Sequence, residues 1–349
     1  MNLKTNFFIL LAFLLSMQVL QAQDRNILVN EVYPSSMFKD NGGKLINVKN
    51  LVAAGIYTKN AVGDGVTDDS DAIIAAMTWV MDRLKAHYVN VQPVDVHWSE
   101  LWTIYLPNGT YRVTKPIVYG GGRVPDPLRL TDAAREGSQK IFLVGQSREN
   151  TTIKLDNNAS GFQSGGYKAV VAFSRFDLSP QVIFNNMPSN NQIRNLTIDT
   201  GTGNPTAIGL DFCGANVSRL DNIKVKGSGR IGIHMRTGTT AGYQSNVTVE
   251  GFDYGIYMEG YSVNHSVFEY VTLTNQNISA VYLTIASASI RKLRSTNSVT
   301  GVTIQNSTSF TPHLVITDSE FTGGGTSSKV FNISNGHLFS RNITVGGMV

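Results

Sequence analysis

Cysteine is almost absent from this chain. Of 349 residues only Cys213 is a cysteine, which excludes an intramolecular disulfide and leaves burial and hydrogen bonding to hold the fold. Charge is sparse as well, at 15% of residues, with 29 Lys and Arg against 25 Asp and Glu for a formal net charge of +4. No Lys/Arg stripe marks any segment, so no nucleic-acid partner is expected. Long apolar runs are missing too. The run from Phe7 to Leu15 falls well short of the ~20 residues that a membrane-spanning helix needs.

That run serves another purpose. With Lys4 before it and the small residue Ala22 after it, residues 1–22 have the pattern of a secretory signal peptide cleaved after Ala22. No cysteine follows it to carry a lipid anchor. The mature chain, 23–349, is therefore expected to be secreted or periplasmic, with no membrane attachment after cleavage. Lys4 is the only charge removed, so the net charge falls from +4 to +3, which slightly suits an anionic substrate. About 325 residues could make two domains, but the repeats described below add length without starting a new core. One domain is expected.

The stretch Gly63-Asp64-Gly65-Val66-Thr67-Asp68-Asp69-Ser70-Asp71-Ala72-Ile73 combines three instructions. Gly63 and Gly65 allow positive-φ turns around Asp64. Thr67 or Asp68 is a natural helix N-cap, with acidic residues where the helix dipole favours them. Ile73, Ala76 or Met77, Val80 and Leu84 then recur at helical spacing and give one apolar face of about four turns. This is a capped helix whose underside must cover something.

Further along come Leu106-Pro107-Asn108-Gly109-Thr110-Tyr111-Arg112-Val113, then Phe142-Leu143-Val144-Gly145 with Thr152-Ile153. In this order and spacing the three motifs resemble the start of a pectate lyase superfamily protein of the rhamnogalacturonase- and epimerase-like group. The resemblance covers roughly residues 45–155. It implies an all-β fold, a single-stranded right-handed parallel β-helix with an N-terminal capping α-helix, and action on polysaccharides. Departures are plain: the polygalacturonase set of NTD, DD, GHG and RIK elements is absent, and the paired aspartates that hold calcium in pectate lyases have no clear counterpart. No cofactor is implied. Calcium would suit the resemblance, yet no site for it can be picked out. Between the helix and the second motif, His87, His97, Trp98, Glu100 and Trp102 form a segment longer than the resemblance leads one to expect; its aromatics either line a substrate rim or plug the helix end.

From Gln192 onward the chain repeats. Aligned segments place Leu196, Ile223, Val247, Val271, Leu293, Ser319 and Ile343 in one position, at steps of 27, 24, 24, 22, 26 and 24 residues. Short alternating β segments at that period indicate solenoid coils. The preceding position reads Asn195, Asn222, Asn246, Tyr270, Lys292, Asp318 and Asn342; asparagine tolerates the left-handed backbone of a sharp turn, and stacked asparagines can bond from coil to coil as an internal ladder. After Val345 no capping segment follows, which suggests either missing C-terminal coils or an oligomer in which another chain covers the end.

A second strand in each coil carries the candidate chemistry. Alternation turns Leu210, Ile233, Ile256, Val281, Val302 and Phe331 inward and leaves Asp211, His234, Tyr257, Tyr282, Thr303 and Asn332 as an outward column. Arg236, Glu259, Thr284 and Gln305 lie two residues further on, and the turns add Arg230 and Asp253. Asp211, His234, Arg236, Tyr257 and Glu259 are the candidate catalytic residues; Tyr282, Arg230 and Asp253 are candidates for substrate binding. Hydrolysis would need two carboxylates flanking a glycosidic bond. Eliminative cleavage would need a base and a cation that neutralises a uronate. A glycan-binding β-helix without catalysis is the alternative from another class.

Overall fold

The structure is a computed structural model that describes residues 29–90, 101–118, 141–173, 190–212, 214, 217–235, 242–259, 265–305, 311–325 and 328–348, with side chains undescribed at 84–90. The expected signal peptide, Cys213, Arg236 and the His97–Glu100 segment lie outside these residues. Among the described residues every strand pairing is parallel. The strands form a 13-stranded and an 8-stranded sheet, wound as a right-handed parallel β-helix.

The register agrees residue for residue with the repeat. Leu196, Ile223, Val247, Val271 and Leu293 pair in succession along the larger sheet, and Ser319 pairs with Ile343. Each long strand bends once. All seven corner residues, Asn195, Asn222, Asn246, Tyr270, Lys292, Asp318 and Asn342, have φ between 51° and 58°, the left-handed region that asparagine tolerates best among residues with a Cβ. Asn222 Nδ2 donates to Asn195 Oδ1 at 2.9 Å, and Asn246 Nδ2 to Asn222 Oδ1 at 2.7 Å. The ladder is not internal along its length: Asn195 Nδ2 donates to Glu31 of the lead-in segment, and the corner becomes exposed toward Asn342. The bend also explains the branched sheet. Gln192–Asp199 pairs with two strands of the preceding coil, Ile141–Gly145 before Asn195 and Thr151–Leu155 after it.

The second motif is likewise two strands, Trp102–Leu106 and Gly109–Val113, separated where Pro107 interrupts the ladder. Gly109, at φ 158°, has no room for a side chain: an added Cβ would lie 2.6 Å from Gly63 O.

The helix runs Ser70–Asn90 and closes one end of the solenoid. Ala72, Ile73, Ala76, Met77, Val80 and Met81 join the same core as Ile46, Leu51, Ile104, Ile117 and Ile141. Trp102 is buried, edge-on to Trp79 of the helix at 4.9 Å, so it plugs the helix end rather than lining a rim. The segment before the helix departs from expectation. Asp64–Asp68 is a strand against Gly109–Val113, because the two positive-φ glycines turn the chain alongside it. Neither expected residue is the N-cap itself: Asp69 takes that place, its carbonyl accepting from Ile73 N at 3.1 Å, while Asp68 one residue earlier supports the first turn, its carboxylate accepting from Ser70 N at 3.0 Å and from Thr114 Oγ1 at 2.7 Å. Asp69 faces back and accepts from Val62 N and Gly63 N. Among the described residues no helix is long and apolar enough to cross a membrane.

Two predictions follow from the lid. Ile73 has no exposed surface, so Ile73→Asp places an unpaired charge in the core and should cost about 3–5 kcal/mol in denaturant unfolding; an unchanged midpoint would remove the lid's structural role. Asp68 concerns pH. Burial works against its charge, but the Ser70 hydroxyl and N–H, the Thr114 hydroxyl and the Arg112 charge outweigh burial, and its carboxyl titrates below the ordinary 3.8. A depressed folded-state value means stabilisation that is present above the unfolded value and lost as pH falls through the folded one. Asp69, raised by burial, acts in the opposite sense. Thermal unfolding of Asp68→Asn should therefore be less stable than the parent at neutral pH, with the two converging below about pH 4.

Candidate functional site

The smaller sheet carries the outward column in the expected register: Asp211 pairs with His234, His234 with Tyr257, Tyr257 with Tyr282, Tyr282 with Thr303 and Thr303 with Asn332. Leu210, Ile233, Ile256, Val281 and Val302 lie in the core. Strict alternation nevertheless fails one residue earlier. Gly209, Gly232, Gly255, Ala280 and Gly301 also face inward: an added Cβ would sit 2.2 Å from Val225 Cγ1 at Gly209 and 2.2 Å from Val249 Cγ1 at Gly232. Each strand thus has two successive inward residues, and the residue before them points out. Ala169, Ala172, Ile208, Ile231 and Tyr254 consequently form a second buried cluster on the opposite face, against which Val118, Tyr257 and Tyr282 pack.

Tyr254 is therefore a site residue that the alternation pattern missed. The signal was present in the stacked glycines, since a position that admits only Gly or Ala in every coil marks an inward kink. Tyr254 meets Tyr257 edge-on at 5.3 Å and Tyr282 at 5.0 Å, while Tyr257 and Tyr282 stack at 4.9 Å and 15°. The two stacked faces are spent on each other, so this pair offers a ligand edges and hydroxyls more than a flat platform. Tyr282 donates its hydroxyl to Gln305 Oε1 at 2.8 Å.

Outward does not mean exposed. Asp211 is fully buried and His234 nearly so, whereas the Glu259 side chain is 42% exposed. His234 Nε2 lies 2.9 Å from Glu259 Oε1, and His234 Nδ1 lies 3.9 Å from Asp211 Oδ2. Tyr257 stands edge-on to the imidazole at 5.5 Å. The structure thus brings Asp211, His234, Tyr257 and Glu259 together, in depth order from buried acid to exposed acid. A proton must occupy the Nε2···Oε1 line, either donated by the ring or by a protonated Glu259, so this contact suits proton transfer in both directions. Tyr257 is different. Burial, then the Glu259 charge and the neighbouring tyrosines, push its phenol well above the usual range, so it stays a neutral donor and not a base.

Arg230 and Asp253 form a separate group at the other end of these strands. Arg230 Nη1 lies 2.9 Å from Asp253 Oδ2, and its guanidinium lies over Tyr254 at 4.8 Å and Tyr167 at 5.7 Å. Although burial opposes it, the hydrogen bond to Asp253 and the nearby tyrosines hold the guanidinium pKa above its ordinary value. Asp253 and Glu259 flank the strand Tyr254–Met258, six residues apart, about 20 Å at 3.3 Å per residue. Among the described residues no group of three or more His, Cys, Asp or Glu could hold a metal ion.

Residues 56–285 match the family described as rhamnogalacturonase A/epimerase, pectate lyase-like. A glucan 1,3-beta-glucosidase of Cochliobolus carbonum is 26% identical over 210 residues, which are 56% of this chain and only 22% of that protein. Among solved structures, PfbA, a surface adhesin of Streptococcus pneumoniae, is 14% identical with a TM-score of 0.45, over 86% of this chain and 77% of its own. The catalytic unit of a GH87 alpha-1,3-glucanase from Streptomyces thermodiastaticus is 12% identical with a TM-score of 0.42, over 93% and 65%. The A-module of mannuronan C-5 epimerase AlgE6 from Azotobacter vinelandii is 16% identical with a TM-score of 0.33, over 86% and 94%.

The glycine column supplies a test of the site's geometry. Gly232→Val should destabilise the fold by about 1–3 kcal/mol through overpacking against Val249, while Ala280→Gly, at the column position that already tolerates a methyl, should cost less than about 1 kcal/mol. Equal costs in chemical unfolding would mean that the inward kink is not set at these positions.

Proposed function

The chain belongs to the rhamnogalacturonase A/epimerase, pectate lyase-like family, and from that premise we propose that it is an exported carbohydrate-active enzyme that cleaves or modifies a polysaccharide at the outer face of the smaller sheet. Glu259 is its proton-transfer group. The observation that carries this reading is the 2.9 Å contact between exposed Glu259 and buried His234, with Asp211 beneath. Here Glu259 and the tyrosine hydroxyls touch the glycan, His234 exchanges the proton with Glu259, and Asp211 positions the imidazole.

Eliminative chemistry asks least of this arrangement. It needs one base and a cation near the uronate, and Glu259 supplies the base; Arg236, which lies outside the described residues, is the candidate cation. Two-carboxylate hydrolysis asks more. Carboxylates that flank a bond stand roughly 5–9.5 Å apart and both face the sugar, but Asp211 is fully buried and Asp253 is about 20 Å away along the strand. Hydrolysis is the second reading because the glucan 1,3-beta-glucosidase relative favours it.

Incubation with uronate-containing and neutral polysaccharides, following new reducing ends and the absorbance of unsaturated products together, separates the two. Unsaturated products are expected. Glu259→Gln and His234→Ala should each lower turnover tenfold or more, in line with typical acid–base contributions. His234→Ala should also lose about 1–3 kcal/mol of stability, since it empties space around a side chain that is only 4% exposed. Turnover unaffected by Glu259→Gln would move the chemistry elsewhere, and binding without any product would make the protein a glycan-binding β-helix.

A further inference from the structure

Three of the six histidines share one column on the larger sheet, far from the face described above: His265 pairs with Ser287, Ser287 with His313 and His313 with His337. His313 and His337 are exposed, and their rings lie nearly parallel at 4.9 Å and 17°. Other ladders in this fold are tied by hydrogen bonds between the stacked side chains, as at Asn195, Asn222 and Asn246 or between Thr296 and Thr322. A pair of imidazoles on adjacent coils can instead be tied by a shared ion.

We propose that His313 and His337 together bind a divalent late transition-metal ion of the copper, nickel or zinc class, each through one imidazole nitrogen, with water completing the coordination. Imidazole is a preferred ligand for these ions and a poor one for magnesium or calcium. Metal–nitrogen bonds of about 2.0–2.1 Å require the two donor atoms to lie within about 4.2 Å of each other. Adjacent coils are about 4.8 Å apart, so small rotations of two exposed side chains reach that span. His265 is set apart: its strand position lies two coils from that of His313, about 9.6 Å along the sheet, and its Nε2 is engaged by Ser289 Oγ at 2.5 Å. The described residues offer no third protein ligand of the His, Cys, Asp or Glu type, so the ion is held by two and exchanges readily. Its effect is structural. Bridging strands His313–Thr322 and His337–Gly346 favours the folded arrangement over the unfolded chain, where the two ligands are not held together.

The test is calorimetric titration of the tag-free full chain with Ni²⁺, together with thermal unfolding at saturating Ni²⁺. One ion per chain is expected, with a raised midpoint, at least tenfold weaker binding in His313→Gln and in His337→Gln, and unchanged binding in His265→Gln. Mg²⁺ should not bind. The proposal is overturned by an absence of Ni²⁺ binding, by binding that survives both variants, or by an equal loss in His265→Gln.

Discussion

Coil-to-coil register is the constraint on which this molecule depends. In a parallel β-helix each residue stacks on its counterpart about 4.8 Å away, so a choice made in one coil binds the next. Two devices keep the coils aligned. The left-handed corner, occupied by Asn195, Asn222 and Asn246 and then by Tyr270, Lys292, Asp318 and Asn342, fixes where each long strand bends. The inward column of Gly209, Gly232, Gly255, Ala280 and Gly301 fixes where each short strand kinks. A slip of one residue would bring side chains into a column that has no room for them and turn the polar column into the core.

The candidate site inherits its geometry from that kink. Two successive inward residues place Tyr254 and Tyr257, three apart in sequence, on the same outer face, and they place Asp211 beside His234 and both beside the second apolar cluster. The surroundings then grade the chemistry. A carboxylate with no exposed surface cannot meet a substrate but can orient a neighbouring imidazole, while a carboxylate with an exposed side chain can meet one. Depth, more than identity, separates the roles of Asp211 and Glu259.

Much of this was legible in the sequence, because a solenoid writes its architecture as a period. The steps near 24 residues, the corner asparagines and the outward register of Asp211, His234 and Tyr257 all follow from local pattern. What was not legible depends on three dimensions. Alternation counts side chains, and glycine has none, so the kink at Gly209 and its equivalents passed unseen and Tyr254 with it. Burial was equally hidden. A column on the outside of a sheet was expected to meet solvent, but Asp211 is fully buried, and nothing in its strand's sequence says so. The strand at Asp64–Asp68 was missed for a related reason: a glycine and two aspartates in five residues have weak strand propensity, and the pairing is supplied by Gly109–Val113, about 45 residues away in the chain.

The same constraint explains why chemistry belongs where it is proposed. Stacking like on like satisfies a ladder at low cost, as Asn on Asn does from Asn195 to Asn246, Gly on Gly at the kink, and Leu, Ile and Val in the core. A column that changes type at nearly every coil forgoes that benefit. Ala172, Asp211, His234, Tyr257, Tyr282, Thr303 and Asn332 occupy one register position, and only the two tyrosines repeat. Burying Asp211 and His234 within it adds desolvation, which a purely structural column could have avoided with two apolar residues. The His313 and His337 pair is a different case, a like-on-like repeat whose stacked rings carry imidazole nitrogens on adjacent coils.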